Sequence, residues 1–182
     1  MINHHAQHPA VQRRARAVQA LLLDVDGVLT DGGMSFDAQG NEWKRFHVHD
    51  GLGIKLAQAA GVLTGLVSAR DCPVVRKRGE DLGMPHIHLG AMDKRKALEQ
   101  ITAETGIAMD AVCFVGDDLP DVPVLCRVGF AVAVANATRE AKAHAHYITQ
   151  LNGGDGAVRE TVELILSAQG VLAAAQAKLW PL

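Results

Sequence analysis

The strongest chemical signal in the chain is LLLDVDGVLTDGG, residues 21 to 33. An apolar run that reads as a buried strand ends in two carboxylates, Asp24 and Asp26, with Gly27, Asp31, Gly32 and Gly33 close behind. A buried parallel strand is normally apolar along its length. In open α/β sheets its carboxyl end is where ligands bind. Carboxylates at i and i+2 share one side of a strand, but where the strand is ending a turn can aim them separately. One can then attack an electrophile while the other handles a proton, with a hard cation offsetting their repulsion. The competing reading is an acid pair that only starts a helix.

Three further signals tip that balance. Ser68 closes VLTGLVS and is followed by Arg70; Lys94 stands near the start of the helix after HIHLG; Gly116-Asp117-Asp118 with Asp121 closes AVCFVGD. All four signals fall at the carboxyl ends of successive apolar runs, where one pocket can gather them. Together they suit phosphoryl transfer. A carboxylate nucleophile splits one hard displacement into two easier ones through an aspartyl-phosphate, and the transfer mainly needs positioning and neutralisation of oxygen charge. Lys94 supplies a cation, Ser68 a hydroxyl donor, and Mg²⁺, which prefers oxygen ligands, the rest. Asp118 and Asp121 are open between orienting those groups and capping the next helix.

The elements that must position these groups are legible as an alternation. Strands are expected at 21–25, 62–68, 86–90, 111–117, 130–135 and 146–150, and helices at 50–60, 73–82, 94–105, 119–127, 137–143 and 156–178. Gly61, Gly83 and Gly106 stand where helices end. This pattern predicts an α/β fold, a three-layer Rossmann-like sandwich with a mostly parallel sheet. Residues 34–49 break the alternation and read as a β-hairpin around Asp37-Ala38-Gln39-Gly40, inserted after the first strand. Its second arm sets Trp43, Arg45, His47 and His49 against Lys44, Phe46 and Val48. Such a hairpin stands over the active edge, as a lid or an oligomer contact. With no linker or repeat, residues 1–182 read as a single domain.

Bulk properties exclude other classes. Apolar residues make up 48% of the 182 and charged ones 21%, which is globular rather than disordered. A net charge of −2 leaves no footprint for nucleic acid, and no apolar run is long enough for a membrane span. The N-terminal MINHHAQHPAVQRRARAV lacks the apolar core of a signal peptide and reads as a lead-in to a short helix, so a cytoplasmic location is expected. Cys72, Cys113 and Cys126 have no metal-ligand spacing and read as reduced thiols.

DVDGVLTDG, the strand-terminal Ser68, Lys94 and GDDLPD resemble, in order, the four motifs of the haloacid dehalogenase-like phosphatases. FHVHDGLGIKL, LGAMDKRKALEQI, VGDDLPDVPVLCRVGFAVAVANA and GGDGAVRETVELILSAQG extend the resemblance over nearly the whole chain. They are similar to the 3-deoxy-D-manno-octulosonate 8-phosphate phosphatases of the small subgroup with no cap domain. The resemblance implies Asp24 as nucleophile and Asp26 as the acid/base that protonates the leaving oxygen and then activates water. It implies Mg²⁺ on Asp24, the Asp26 backbone carbonyl and Asp117, and a phosphoryl group gripped by Ser68 and Lys94. Substrate contacts are implied for Asp26, Lys94, His47, Val48, His49, Asp50, Gly51, Lys55, Arg70 and Arg78. It further implies release of a free eight-carbon sugar acid on the route to lipopolysaccharide, and a homotetramer in which a neighbour's hairpin and C-terminal tail, here residues 170–182, help close the site.

Three positions, in two segments, depart from that family. Its members usually show Asn-Val-Arg-Asp-Gly where this chain has His47-Val48-His49-Asp50-Gly51, and some carry Arg where Asp155 stands. Arginine grips a carboxylate bidentately and stays charged, whereas histidine at neutral pH does so only in part. The departures bear on the sugar acid, not on the phosphate. Two alternatives follow: a phosphatase for a nine-carbon sialic-type acid 9-phosphate, and a receiver-type phospho-acceptor module. The second places its acceptor carboxylate on a later strand.

Overall fold

The computed structural model describes residues 6–180. After a first helix, α1 (Pro9–Arg16), the chain lays down β1 (Ala20–Leu23), a hairpin of β2 (Ser35–Phe36) and β3 (Glu42–Trp43), then α2 (Val48–Ala59) and β4 (Leu63–Val67). It continues through α3 (Pro73–Asp81), β5 (His86–His88), α4 (Lys94–Thr105), β6 (Val112–Gly116) and α5 (Val122–Leu125). β7 (Phe130–Ala133), α6 (Arg139–Ala143), β8 (Tyr147–Ile148), α7 (Ala157–Gln169) and α8 (Leu172–Leu179) complete it. Residues 1–5 of the expected N-terminal lead-in, and residues 181–182 of the tail, lie outside the described residues.

Six strands form one sheet in the order β5-β4-β1-β6-β7-β8, every pair parallel. β1, β6 and β7 are buried along their whole length, which is why their sequences are almost unbroken apolar runs. Right-handed crossovers put α2 and α3 on one face and α4, α5 and α6 on the other. α1, α7 and α8 join α2, and α4 packs on α5. The result is the three-layer Rossmann-like sandwich, with no second domain over it among the described residues. Chain progression reverses at β1 and β6, so the crevice outside their carboxyl ends is the switch point where ligands bind in such sheets.

Three local differences from the expected elements have physical causes. The hairpin is shorter than 34–49: only Ser35 with Trp43 and Phe36 with Glu42 pair, and Val48 and His49 belong to α2. His47 ends the second arm because its Nδ1 accepts the His49 N–H at 3.3 Å and caps the helix. The long helix expected at 156–178 is broken at Gly170 (φ 73°), whose N–H and that of Val171 turn back onto Ser167 and Leu166 carbonyls in a Schellman-type stop. The tail helix α8 packs on α2 and α7 of its own chain, with Lys178 Nζ donating to Ala59 O at 2.9 Å. The helix expected at 119–127 opens as a 3-10 turn, Leu119–Asp121, because Pro120 and Pro123 lack amide donors.

Candidate active site

Asp24 directly follows β1, and its N–H donates to Val115 O at 3.0 Å, which seats it between β1 and β6. The chain then turns tightly. Val25 O accepts the amides of Val28, Leu29 and Thr30, and Thr30 Oγ1 accepts those of Gly27 and Gly32. Gly27 takes φ +88°, and a Cβ there would fall 2.1 Å from Asp117 Oδ2; only glycine lets the two loops meet. Gly153 lies so close to the Gly27 carbonyl that it could not carry a side chain, and Gly154 N donates to Val28 O at 2.9 Å. The GGDG segment thus braces the acidic turn from behind.

Lys94 is the first residue of α4 and is buried, its ammonium 2.7 Å from Asp24 Oδ1 and 2.6 Å from Asp121 Oδ1. Asp121 Oδ2 accepts the Asp117 N–H at 2.8 Å, while Asp118 Oδ1 caps the 3-10 turn at Leu119 N. The choice left open between orienting and capping resolves differently for the two: Asp121 does both, and Asp118 caps. Ser68, buried at the end of β4, holds its Oγ under the Arg70 amide at 3.2 Å.

A cavity of about 290 Å³ is lined by Asp24, Asp26, Gly32, Ser68, Ala69, Arg70, Lys94, Asp117, Asp118, Pro120 and Asp121. Of the expected site residues, the structure gathers Asp24, Asp26, Ser68, Arg70, Lys94 and Asp117 here. It does not bring His47, Val48, His49, Asp50, Gly51, Lys55 or Arg78 into the lining. Asp50 is buried and committed elsewhere: its carboxylate accepts the Gly156 and Arg159 amides at 3.2 and 2.9 Å, capping α7 from α2. Lys55 Nζ donates to Leu82 O, the Arg78 guanidinium stands 5.6 Å over the Phe46 ring, and Gly51 is pressed against Arg78. His47 Nε2 stands 3.9 Å from Asp155 Oδ1, and its ring meets that of His49 edge to face at 4.8 Å. In the single chain these residues stand outside the cavity lining, on a flank that joins α2 to Phe46, α3 and the GGDG segment.

Charge accumulates in the cavity beyond what Lys94 neutralises. Burial first, then the Asp121 charge, raises Asp24 to about 6 against the pull of Lys94. Burial, then Asp24, Asp121 and Asp118, raises Asp117 to about 8. One carboxylate oxygen from each of Asp24, Asp117 and Asp121 falls within a 4.8 Å cluster. Hard oxygen donors with surplus negative charge fit Mg²⁺. Asp121 spends its oxygens on Lys94 and backbone amides and Asp24 Oδ1 also meets Lys94, so of the three Asp117 is the least committed.

Two residues of the neighbourhood were not read from the sequence. Lys44, just past β3, has a side chain only 1% exposed, and its ammonium pairs with Asp26 Oδ1 and stands 2.8 Å from Glu42 Oε1. Burial alone would depress it, but the two carboxylates outweigh that and hold its pKa above the usual value. Glu42 Oε2 in turn meets Arg70 NH2 at 2.9 Å. The alternation that sets Lys44 opposite Trp43 and Arg45 was the available signal.

The chain is similar to known proteins along most of its length. A family model described as haloacid dehalogenase-like hydrolase matches residues 83–160. A 3-deoxy-D-manno-octulosonate 8-phosphate phosphatase of Haemophilus influenzae is 38% identical over 160 residues, 88% of this chain and 89% of that protein. Its Escherichia coli counterpart is 40% identical over 162 residues, 89% of this chain and 86% of that protein. Among solved structures, the Moraxella catarrhalis phosphatase of that name, in complex with magnesium ion, phosphate ion and KDO, superposes with TM-score 0.89 at 37% identity, covering 92% of this chain and 97% of that one. The Yersinia pestis enzyme gives TM-score 0.89 at 38% identity, covering 91% and 89%.

Proposed function

Since the chain belongs to the 3-deoxy-D-manno-octulosonate 8-phosphate phosphatases of the haloacid dehalogenase-like hydrolases, we propose that it is a Mg²⁺-dependent phosphoric monoester hydrolase. It releases the free eight-carbon sugar acid and inorganic phosphate on the route to lipopolysaccharide. The observation that carries this reading is the convergence of Asp24, Asp26, Ser68, Lys94 and Asp117, from four separate segments, on one cavity at the switch point of the sheet.

In this reading Asp24 attacks phosphorus. The bond from its carboxylate oxygen to phosphorus forms as the bond from phosphorus to the sugar oxygen breaks, and Asp26 protonates the departing oxygen. Asp26 then takes a proton from the water that attacks the aspartyl-phosphate, returning Asp24 and freeing phosphate. Lys94 and Ser68 hold the phosphoryl oxygens, with Lys94 fixed for that task by Asp121. Arg70, which also lines the cavity, is the residue we assign to contact the sugar acid. Asp24, Asp117 and the Asp26 carbonyl are the residues to hold Mg²⁺, which when bound supplies Lewis-acid neutralisation of phosphoryl charge.

The flank formed by His47, Val48, His49, Asp50 and Gly51, with Lys55 and Arg78, enters this proposal as the wall that a neighbouring subunit completes. Met34, Phe36 and Trp43 leave more than half their surface exposed on the hairpin, which favours a homotetramer assembled through it. No helix of the described residues is long and apolar enough to cross a membrane, and we place the enzyme in the cytoplasm.

The test is phosphate release with Mg²⁺, and with chelator, from octulosonate 8-phosphate, sialate 9-phosphate, arabinose 5-phosphate and p-nitrophenyl phosphate. A preference of about a hundredfold for the first, roughly 2.7 kcal/mol of differential transition-state binding, is expected. Flat activity across the panel, or turnover that survives chelation, contradicts the reading.

A further inference from the structure

We infer that Lys44 is a positioning residue that acts through Asp26, so that protonation of the leaving group depends on how the hairpin is docked. The inference rests on the proposed role of Asp26 as acid.

A lysine side chain that is 1% exposed, on a hairpin held by two residue pairs, needs a reason to be there. Its neighbours Trp43 and Arg45 face solvent. Its partners supply the reason. The ammonium pairs with Asp26 Oδ1 and Glu42 Oε1, Glu42 Oε2 meets Arg70 NH2, and Arg70 NH1 returns to Asp26 Oδ2 at 3.9 Å. Two anions and two cations alternate around a closed ring. Asp26 comes from the loop after β1, Arg70 from the loop after β4, and the other two from the hairpin. So short a hairpin has little rigidity of its own, and the ring ties it to the cavity, beside the contacts of Arg45 with Asp31 and Cys72 with Glu42.

The ring also fixes one oxygen of Asp26. The Asp26 side chain is a quarter exposed and, lacking Lys44, keeps only the Arg70 guanidinium, 3.9 Å away, to hold it. A misplacement of about 1 Å at a reacting group can cost about a hundredfold in rate. Lys44 does not touch the reacting atoms; it sets where Asp26 stands when the sugar oxygen leaves.

The experiment separates this role from general damage to the fold. An alkoxide leaving group needs the proton from Asp26, whereas p-nitrophenolate leaves as a stabilised anion. kcat/KM reports only the steps through transfer to Asp24, so the later work of Asp26 on water does not enter. For Lys44→Met, kcat/KM for the preferred sugar phosphate is expected to fall by about 10- to 100-fold while that for p-nitrophenyl phosphate falls by less than about threefold. Lys44→Arg should restore most of the loss. Asp26→Asn, run in parallel, should show the same split, and larger. If Asp26→Asn splits and Lys44→Met loses both substrates equally, the inference is overturned and the role of Asp26 stands. If Asp26→Asn shows no split, that role falls and takes the inference with it. Should Lys44→Met not fold, Lys44→Gln carries the same comparison.

Discussion

Asp121 Oδ1 stands 2.6 Å from Lys94 Nζ, with both side chains almost sealed from solvent. The other oxygen of the same carboxylate accepts the Asp117 amide at 2.8 Å. One buried acid therefore sets both the cation that faces phosphate and the loop that carries Asp117. Asp121→Ala strips the Asp117 amide of its acceptor and leaves Lys94 on Asp24 alone, and is expected to destabilise the protein by about 1–3 kcal/mol. Chemical denaturation measures it. A loss within error would show that the contact contributes little.

Gly27 is expected to be intolerant of any side chain. Its φ of +88° penalises an L-residue, and a Cβ would collide with Asp117 Oδ2. Gly27→Ala should push Asp117 off its position and weaken Mg²⁺ binding by about tenfold or more, since displacing one ligand costs at least as much as disturbing its supporting shell. Calorimetric titration with Mg²⁺ reads this directly. Unchanged affinity would mean that Asp117 does not hold the ion.

Asp50 caps α7 from another helix, so its removal strands two amides, those of Gly156 and Arg159. Asp50→Ala is expected to cost about 1–3 kcal/mol of stability, seen as a lower urea midpoint. A variant of native stability with a raised KM would instead restore the substrate role read from the sequence.

The contribution of His146 to stability should fall on mild acidification, against the opposite trend of the raised Asp24 and Asp117. Its Nδ1 accepts the Ala131 amide at 2.9 Å, which requires a neutral ring, and burial followed by the Arg14 charge holds its pKa below the ordinary value. The unfolded chain binds the proton more readily, so this contribution is complete above about pH 6.5 and is lost as pH falls through the lower folded value. Urea unfolding at several pH values, taken as the difference between the wild type and His146→Gln, should show the wild type losing ground to the variant as pH falls. Identical profiles would remove His146 from the account.

The sheet was legible in the sequence because its central strands are buried on both faces and read as apolar runs; all six were located with ends differing by a few residues, the half-buried edge strands β5 and β8 by their place in the alternation. The acids at the strand tips were legible for the same reason, each being an expensive polar group at the end of a greasy segment. What sequence reading lacked was partnership across distance. Asp50 carries no mark that its partner is an amide at position 159. Lys44 looks like any hairpin lysine until Asp26 and Glu42 are seen beside it. The stop at Gly170 shows in the sequence only as a lone glycine inside an Ala-rich helical pattern, and an interior glycine costs only about 1 kcal/mol and does not by itself end a helix.

The most direct test of the central claim is chemical trapping of the acyl-phosphate. The enzyme turning over octulosonate 8-phosphate with Mg²⁺ is quenched and treated with borohydride, which reduces an aspartyl-phosphate to homoserine, and the peptides are sequenced by mass spectrometry. The account predicts homoserine at position 24, dependent on substrate. Modification at another aspartate, or none in an enzyme shown to be turning over, would contradict it.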